Sequence, residues 1–589
     1  ANCTAIAADL TGSVTFNTAA NYWEGDVDND WFNSENWSCG VVPSETIAAS
    51  IINGTTQIAA GQTASAETLT ISGTGHLIVE TGSNLFVTNA VTVVNDIDEE
   101  GIITGGQLTI QNNANLIQEN DGPNINSGFV TVEKNSAPMW RLDYAMWAAP
   151  VSGETLIDFS PHTLANRFYR YNPLTDGYTT SGMNEGNVEF DKGRSYLIRA
   201  SNIHPSYESN PTNPTAWEGA YVGVPNNGDV TVSVVARQND PGQPGYVSGF
   251  NAIGNPYPSP INVYEFYTRN INNLVNGSSI FFWRKKNDAD TSSYVSLTLG
   301  GLIVNSDNPW GDSSNGEFDN LDENDEWVIN AGQGFIVQVR TTSIVFDNDM
   351  RQGVHHNYQF RSAQDQTSTA SRLWLNLKND AGQFSQSLIA YTENTTLDID
   401  FGWDGKVIGD GAISLYSFAG DTKLGIQARM AFDDTDEVPM GYKAQTAGNY
   451  TLSIDHVEGV FMQGQEIFLR DNLLGVTHSL TDGAYAFTTE AGTFAGRFDV
   501  VYAEALDTDI PVADPNSVIV YKNGNNINIT SGVATITGVT VHDLRGRLLY
   551  SNNSINAAET VVSGLQAQEQ MLIVEVATEK GKVSKKIIF

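Results

Sequence analysis

Residues 69–87 read Leu-Thr-Ile-Ser-Gly-Thr-Gly-His-Leu-Ile-Val-Glu-Thr-Gly-Ser-Asn-Leu-Phe-Val. Leu69/Ile71, Leu77/Val79 and Leu85/Val87 recur every eight residues, and Leu108/Ile110 with Leu116 repeats the step. Alternation of apolar and polar residues within each short run is the signature of a half-buried strand. Gly73, Gly75, Gly82, Asn112 and Asn113 separate the runs and supply the turns. Short strands with turn residues at fixed spacing predict a small β-solenoid or a stacked meander, and the local pattern does not separate the two.

Outward from this stretch the β texture continues in both directions. On the N-terminal side, Trp23, Trp31 and Trp37 sit among Asp and Asn residues, an aromatic-rich loop that either caps the open end of a β-stack or offers a platform for sugars. Capping is the favoured reading. After about Gly128, strand-like fragments alternate with loops rich in Asn, Pro and Gly, and only Ile261–Leu274 could form a helix of useful length. Polar Ser362–Thr369 reads as a linker, a further set of strands follows, and Asp507–Asn516, with two Pro and three Asp, reads as a second linker. The expected organisation is all-β and multidomain: 1–125, a Trp-rich loop plus solenoid-like module; 126–365, a large β-rich domain; 366–506, a β-sandwich; 507–516, a linker; 517–589, an Ig-like terminal sandwich. A chain of 589 residues exceeds what one hydrophobic core serves.

Charge sharpens this division. The chain carries 30 basic and 68 acidic residues, a net charge of −38. Such a surface repels phosphate backbones and anionic lipid, so neither nucleic acid nor a membrane surface is an expected partner. Residues 517–589 instead hold seven Lys/Arg and five Asp/Glu, a charge of +2, which leaves −40 for the rest. A slightly basic tail on an acidic body suggests a tail with its own partner. No run of about 18 apolar residues predicts a membrane span. The sequence opens Ala1-Asn2-Cys3, which reads as a mature end after signal-peptide removal, and Cys3 and Cys39 are the expected disulfide pair of an oxidising compartment.

The tail carries the most specific pattern. Tyr521-Lys522 is followed by a strand and by Val541-His542-Asp543-Leu544-Arg545-Gly546-Arg547. Then come an Asn-containing loop, the strand Leu572-Ile573-Val574-Glu575-Val576, and Gly581-Lys582-Val583-Ser584-Lys585-Lys586-Ile587-Ile588. In this order the segment resembles the C-terminal sorting domain of type 9 secretion cargo in Bacteroidetes, closest to the type C variety of Flavobacterium-like organisms. Asp543, Gly546, Arg547, Lys585 and Lys586 are the matched positions, and His542 stands where Tyr is commoner. The resemblance covers about an eighth of the chain. It implies export to the periplasm, passage through the type 9 translocon of the outer membrane, capture by a shuttle β-barrel resembling PorV, cleavage by a sortase-like protease, and a secreted or cell-surface location. The Trp-rich motif, Gly254-Asn255-Pro256-Tyr257-Pro258, Gly332-Gln333-Gly334-Phe335 and Met350-Arg351 also resemble large surface proteins with such tails, some of them adhesins linked with gliding motility.

Chemistry is sparse by comparison. None of the eight His forms H-E-x-x-H, and adjacent His355-His356 would face opposite ways on a strand. Gly311–Gly316 (GDSSNG) lacks the strand-to-helix setting of a serine nucleophile. Calcium is the ligand to which the acidic loops point, through Asp26, Asp28 and Asp30 and through Asp319, Asp322 and Asp325, because closely spaced carboxylates and loop carbonyls supply the oxygens that it needs. Neither loop is an EF-hand; after Asp26, Asp28 and Asp30 the sixth position is Trp31, where that loop needs Gly. The expectation is therefore a non-enzymatic exported protein with an adhesive or motility-associated body. The rivals are a polysaccharide-degrading enzyme, which would need two carboxylates about 5 to 9.5 Å apart in a pocket, and a glycan-binding protein, which would show exposed Trp or Tyr.

Overall fold

The computed structural model describes residues 21–97, 103–120, 125–183, 188–209, 214–283, 294–305, 327–352, 370–503, 518–532, 534–565 and 570–589. Among them the chain is almost wholly β-strand, and the only α-helices are Leu156–Phe159 and Val263–Arg269. No helix among the described residues is long and apolar enough to cross a membrane. Two compact units form, divided at Gln366/Thr367, except that Phe401–Gly405 belongs with the first.

The first unit begins with a solenoid. Ala49–Ile51, Leu69–Ile71 and Val91–Val93 stack in one parallel sheet. Thr55–Ile58, His76–Val79 and Gln107–Ile110 stack in a second. Thr63–Ala66, Asn84–Val87 and Asn115–Gln118 stack in a third. Each rung thus visits three faces, and the eight-residue step seen in the sequence is the arc from one face to the next. The stacking repeat is longer, with rungs starting at Ala49, Leu69 and Val91. Parallel register of all three sheets decides for a solenoid over a meander.

Like stacks on like in this arrangement. Leu77 lies beside Leu108 and Leu85 beside Leu116, all buried. Each buried Leu contributes roughly 2 kcal/mol of apolar transfer free energy. Asn115 Nδ2 donates to Asn84 Oδ1 (2.9 Å) and Asn84 Nδ2 to Thr63 Oγ1 (3.2 Å), so the polar groups form a ladder along the stack. A side chain at Gly75 would place its Cβ 2.5 Å from the Ile51 carbonyl, so the turn between the first two faces admits only glycine there.

Both ends of the stack are closed. On the first rung, Gln57 accepts from the Trp31 amide (3.0 Å) and donates to the Asn29 carbonyl (2.7 Å), which docks the Trp-rich loop. Trp23, Trp31 and Trp37 are buried, and Trp37 meets each of the other two edge-to-face. At the third face, the Leu116 amide donates to the Pro258 carbonyl (2.9 Å) and the Arg351 guanidinium donates to the Leu116 carbonyl (2.5 Å).

The expected boundary at 125/126 separates no cores. One apolar core runs from Trp23 to Tyr221, because the solenoid's second sheet continues directly into Val130–Met139, which then pairs antiparallel with Thr215–Pro225. A second core spans Val230–Met350. Within it, the segment Ile261–Leu274 holds a helix only over Val263–Arg269. Asn262 caps its start by accepting from the Tyr264 and Glu265 amides. Asn270 ends it, because its side chain bonds both the amide and the carbonyl of Val345.

In the second unit, the strands between Ser371 and Val501 form one continuous hydrogen-bonded sheet, from Val476–Ser479 at one end to Tyr485–Thr489 at the other. The expected sandwich is thus a single sheet folded over its own core. Phe487, on the far end strand, packs on Phe498 (4.8 Å) and Tyr442 (5.5 Å) from the opposite half. The tail follows as seven strands in two sheets. One contains Val518–Asn523, Asn526–Ser531 and Glu559–Val562, and the other contains Leu548–Asn552, Ile536–Asp543, Met571–Thr578 and Gly581–Ile588. Three plus four strands is the layer count of an Ig-like sandwich. The expected linkers at 362–369 and 507–516 fall on positions 362–369 and 507–516 outside the described residues.

Candidate functional site

The tail has its own hydrophobic core. Val518, Ile527, Ile529, Val539, Val541, Leu572, Val574, Val576 and Phe589 cluster separately from the core of the large sheet. It meets that sheet through small contacts, in which Tyr521 OH donates to Glu490 (3.3 Å) and the Gly532 backbone lies against the Leu473 carbonyl with no room for a side chain.

Of the five matched positions, three form one turn. Strand Ile536–Asp543 ends at Asp543, whose Oδ1 accepts from the Arg545 amide (2.9 Å) and the Arg547 amide (3.0 Å). Its Oδ2 accepts from Arg547 Nε (3.2 Å). The Gly546 amide donates to the Asp543 carbonyl (2.9 Å), and Gly546 has φ +78°, where a Cβ is disfavoured. The sequence order Asp-x-x-Gly-Arg is thereby explained: Asp satisfies the orphan amides, Gly takes the left-handed residue, and Arg returns to the carboxylate. The Arg547 amide, followed by that of Arg545, holds the Asp543 carboxyl below the usual carboxylate range.

Lys585 and Lys586 lie apart from this turn on Gly581–Ile588, the outermost strand of the four-stranded sheet. Lys585 is opposite Val574, half-buried, whereas Lys586 is exposed and opposite Ile573. Ile573 is in turn opposite His542, and His542 is opposite Leu548. The turn and Lys586 are thus connected through one row of the sheet's outer face, a connection absent from the linear motif.

The other expected sites fare differently. Asp26, Asp28 and Asp30 are exposed, and the carboxylates of Asp28 and Asp30 serve local bonds. Asp28 accepts from Asn33 Nδ2 (3.0 Å), the Asp30 amide (3.0 Å) and Asn36 Nδ2 (2.6 Å), and Asp30 accepts from the Phe32 amide (3.0 Å). The Asn33 bond, then the Asp30 amide and Asn36, lower the pKa of Asp28. Among the described residues, no three His, Cys, Asp or Glu are grouped to hold a metal ion. Asp319, Asp322 and Asp325 lie outside the described residues, as do Gly311–Gly316, His355, His356 and Cys3. Cys39 is disulfide-bonded.

No Trp among the described residues is exposed, so the N-terminal aromatics form a cap and not a sugar platform. The Asn-Pro-Tyr-Pro and Met-Arg fragments converge in a buried polar knot. Asn255 Nδ2 donates to the Ser259 and Ile329 carbonyls, Tyr257 OH to the Gly228 carbonyl (2.8 Å), and Arg351 lies over the Tyr257 ring (4.9 Å). Their role in this fold is to close the third face of the solenoid.

The chain belongs to the family described as "Domain of unknown function (DUF8693)", which matches residues 22–502. Residues 506–589 match a second family, "Domain of unknown function (DUF8694)". No curated protein matches the chain. Among solved structures, a "Biofilm associated protein - BSP domain" aligns at 10% identity and a TM-score of 0.14, over 63% of this chain and 63% of that one, a likeness that carries no argument here. The chain thus spans less than two thirds of that structure.

Proposed function

We propose that this chain is cargo of a type 9 secretion system, with residues 517–589 as its export handle and the acidic β-rich remainder as passenger. The handle is read by a shuttle β-barrel resembling PorV and by the translocon, and a sortase-like protease is the expected processing partner. The passenger is a non-catalytic secreted or cell-surface protein with an adhesive or motility-associated role. The single observation that carries this reading is the separate core of the tail, with the Asp543–Arg547 turn at the end of one of its strands. A handle must fold and be recognised independently of what it carries, and a module with its own core meets that requirement. The change from −40 over the body to +2 over the tail supports the same division.

The test is deletion of Ser517–Phe589 in the native host, followed by fractionation. The deleted chain should accumulate in the periplasm, whereas undiminished surface display or release would refute the handle.

A further inference from the structure

A strand on a sheet's outer face normally shows polar side chains to water. The four-stranded sheet of the tail departs from this at the end that bears the Asp543–Arg547 turn. Leu548, His542, Ile573 and Lys586 stand opposite one another across all four strands. Two residues further along, and so on the same face, Met571 is opposite Ile588. Leu544 is 63% exposed at the turn, Leu548 53%, Met571 40% and Ile588 73%. The alignment depends on a bulge, because Val541 pairs with Tyr550 but His542 pairs with Leu548. Leu549 is the extra residue and packs inward, which turns Leu548 out. Beyond this patch the face becomes polar, with Thr540, Glu575 and Ser584 in the next row.

The rim of the patch is basic. The Arg547 side chain is 70% exposed beside Leu548, Arg545 is exposed in the same turn, and Lys586 is exposed between Ile588 and Ser584. Asp543 pairs with Arg547 (3.2 Å) and offsets one of these three cations, so the rim stays net basic. An apolar centre edged by Arg545, Arg547 and Lys586, on a chain of net charge −38, is unlike its surroundings in both respects.

We propose that this face, and not the tail as a whole, is the surface by which the handle is gripped, and that its occupant is a protein surface with an apolar centre and a carboxylate rim. This inference rests on the export reading above. Charge complementarity argues for the occupant: opposite charges at the rim steer the encounter and set register, while the apolar centre supplies affinity. An acidic rim would also select this tail from the acidic passengers, which like charge repels.

The test uses the full-length chain in its native host, with four variants: Leu548→Ser combined with Ile588→Ser, Lys586→Glu alone, Val561→Ser, and deletion of Ser517–Phe589. Val561 is 52% exposed on the other sheet and serves as the control. Lys586→Glu changes only an exposed charge, so it remains informative if the double variant misfolds. The exported-to-periplasmic ratio should fall about tenfold or more for the double variant, which loses the apolar anchors, and for Lys586→Glu, which sets a like charge against the carboxylate rim. Val561→Ser should export as wild type. If deletion blocks export while Lys586→Glu and a folded double variant export normally, the face is not the gripped surface, although the handle stands. Normal export of the deletion variant would remove the handle itself. Conversion of a dimer to monomers by the face variants, with export unchanged, would assign the face to a second copy and overturn the proposal.

Discussion

Two turns in the second unit use the same device at opposite depths. In the large sheet, Phe468–Asp471 ends at Asp471, whose carboxylate accepts from the Leu473 and Leu474 amides and pairs with Arg497 (2.9 Å). In the tail, Ile536–Asp543 ends at Asp543, which accepts from the Arg545 and Arg547 amides and pairs with Arg547 (3.2 Å). The difference lies in the arginine. Arg497 is 6% exposed, and its guanidinium lies over the rings of Phe487 and Phe498, both at 4.8 Å. Arg547 is 70% exposed. In the first case the aspartate holds a buried cation within the core. In the second it holds a backbone shape whose side chains remain available to a partner. A carboxylate at a strand end thus serves structure or presentation according to what covers its arginine.

The sharpest break in that comparison comes from Asp471→Ala. It leaves Arg497 buried without its carboxylate, removes the acceptor of the Leu473 and Leu474 amides, and strands the hydroxyl of Tyr485, which donates to Asp471 at 2.9 Å. Removing one member of a buried pair costs about 3 to 5 kcal/mol. Amide exchange in the strands Phe468–Asp471 and Gly492–Val501 should accelerate accordingly, while protection of Met571–Thr578 in the tail should remain unchanged, since the two cores are separate.

The depth of these turns was not legible in the sequence. Asp-Leu-Arg-Gly-Arg announces a tight turn, and Asp543, Gly546 and Arg547 do form it. Arg-Asp-Asn-Leu-Leu-Gly at 470–475 carries a similar signal, but its partner Arg497 is distant in sequence, so nothing local marks the pair as buried. The solenoid was legible in the same partial way. The L-x-[IV] runs mark the inward residues, and these are buried. The eight-residue step, however, follows the chain around a rung and does not give the pairing between rungs, which the antiparallel pair Asn95–Ile97 and Ile103–Gly105 further obscures in the third rung. The outer face of the tail is hidden in the sequence for a third reason. Adjacent Leu548 and Leu549 face opposite ways on a strand, and only the bulge, a property of the pairing, decides that Leu548 is the one turned out.

Acid separates the roles next. The bonds from the Arg547 and Arg545 amides lower the pKa of Asp543 in the folded chain. Its contribution is therefore fully present above the unfolded value near pH ~4, and is lost as pH falls through the depressed folded value. Asp543→Asn removes that linkage. The variant's tail should be less protected from exchange than wild type at neutral pH, and the gap should close as pH falls below ~4. A gap independent of pH would mean that shape alone, and not the charge of Asp543, holds the turn.

The smallest structural effect should belong to Arg547→Ala, and that smallness is informative. An ion pair with so exposed an arginine contributes about 0 to 1 kcal/mol. The backbone amide of position 547 still reaches Asp543 Oδ1 after truncation, so the turn keeps both amide bonds. Amide exchange over Ile536–Asn552 should stay close to wild type. Arg497→Ala should instead loosen the large sheet by about 3 to 5 kcal/mol, since it leaves Asp471 buried without its cation. A comparably large loss for Arg547→Ala would show that the tail's arginine supports the fold as its buried counterpart does. Its exposure would then no longer distinguish a presented side chain from a structural one.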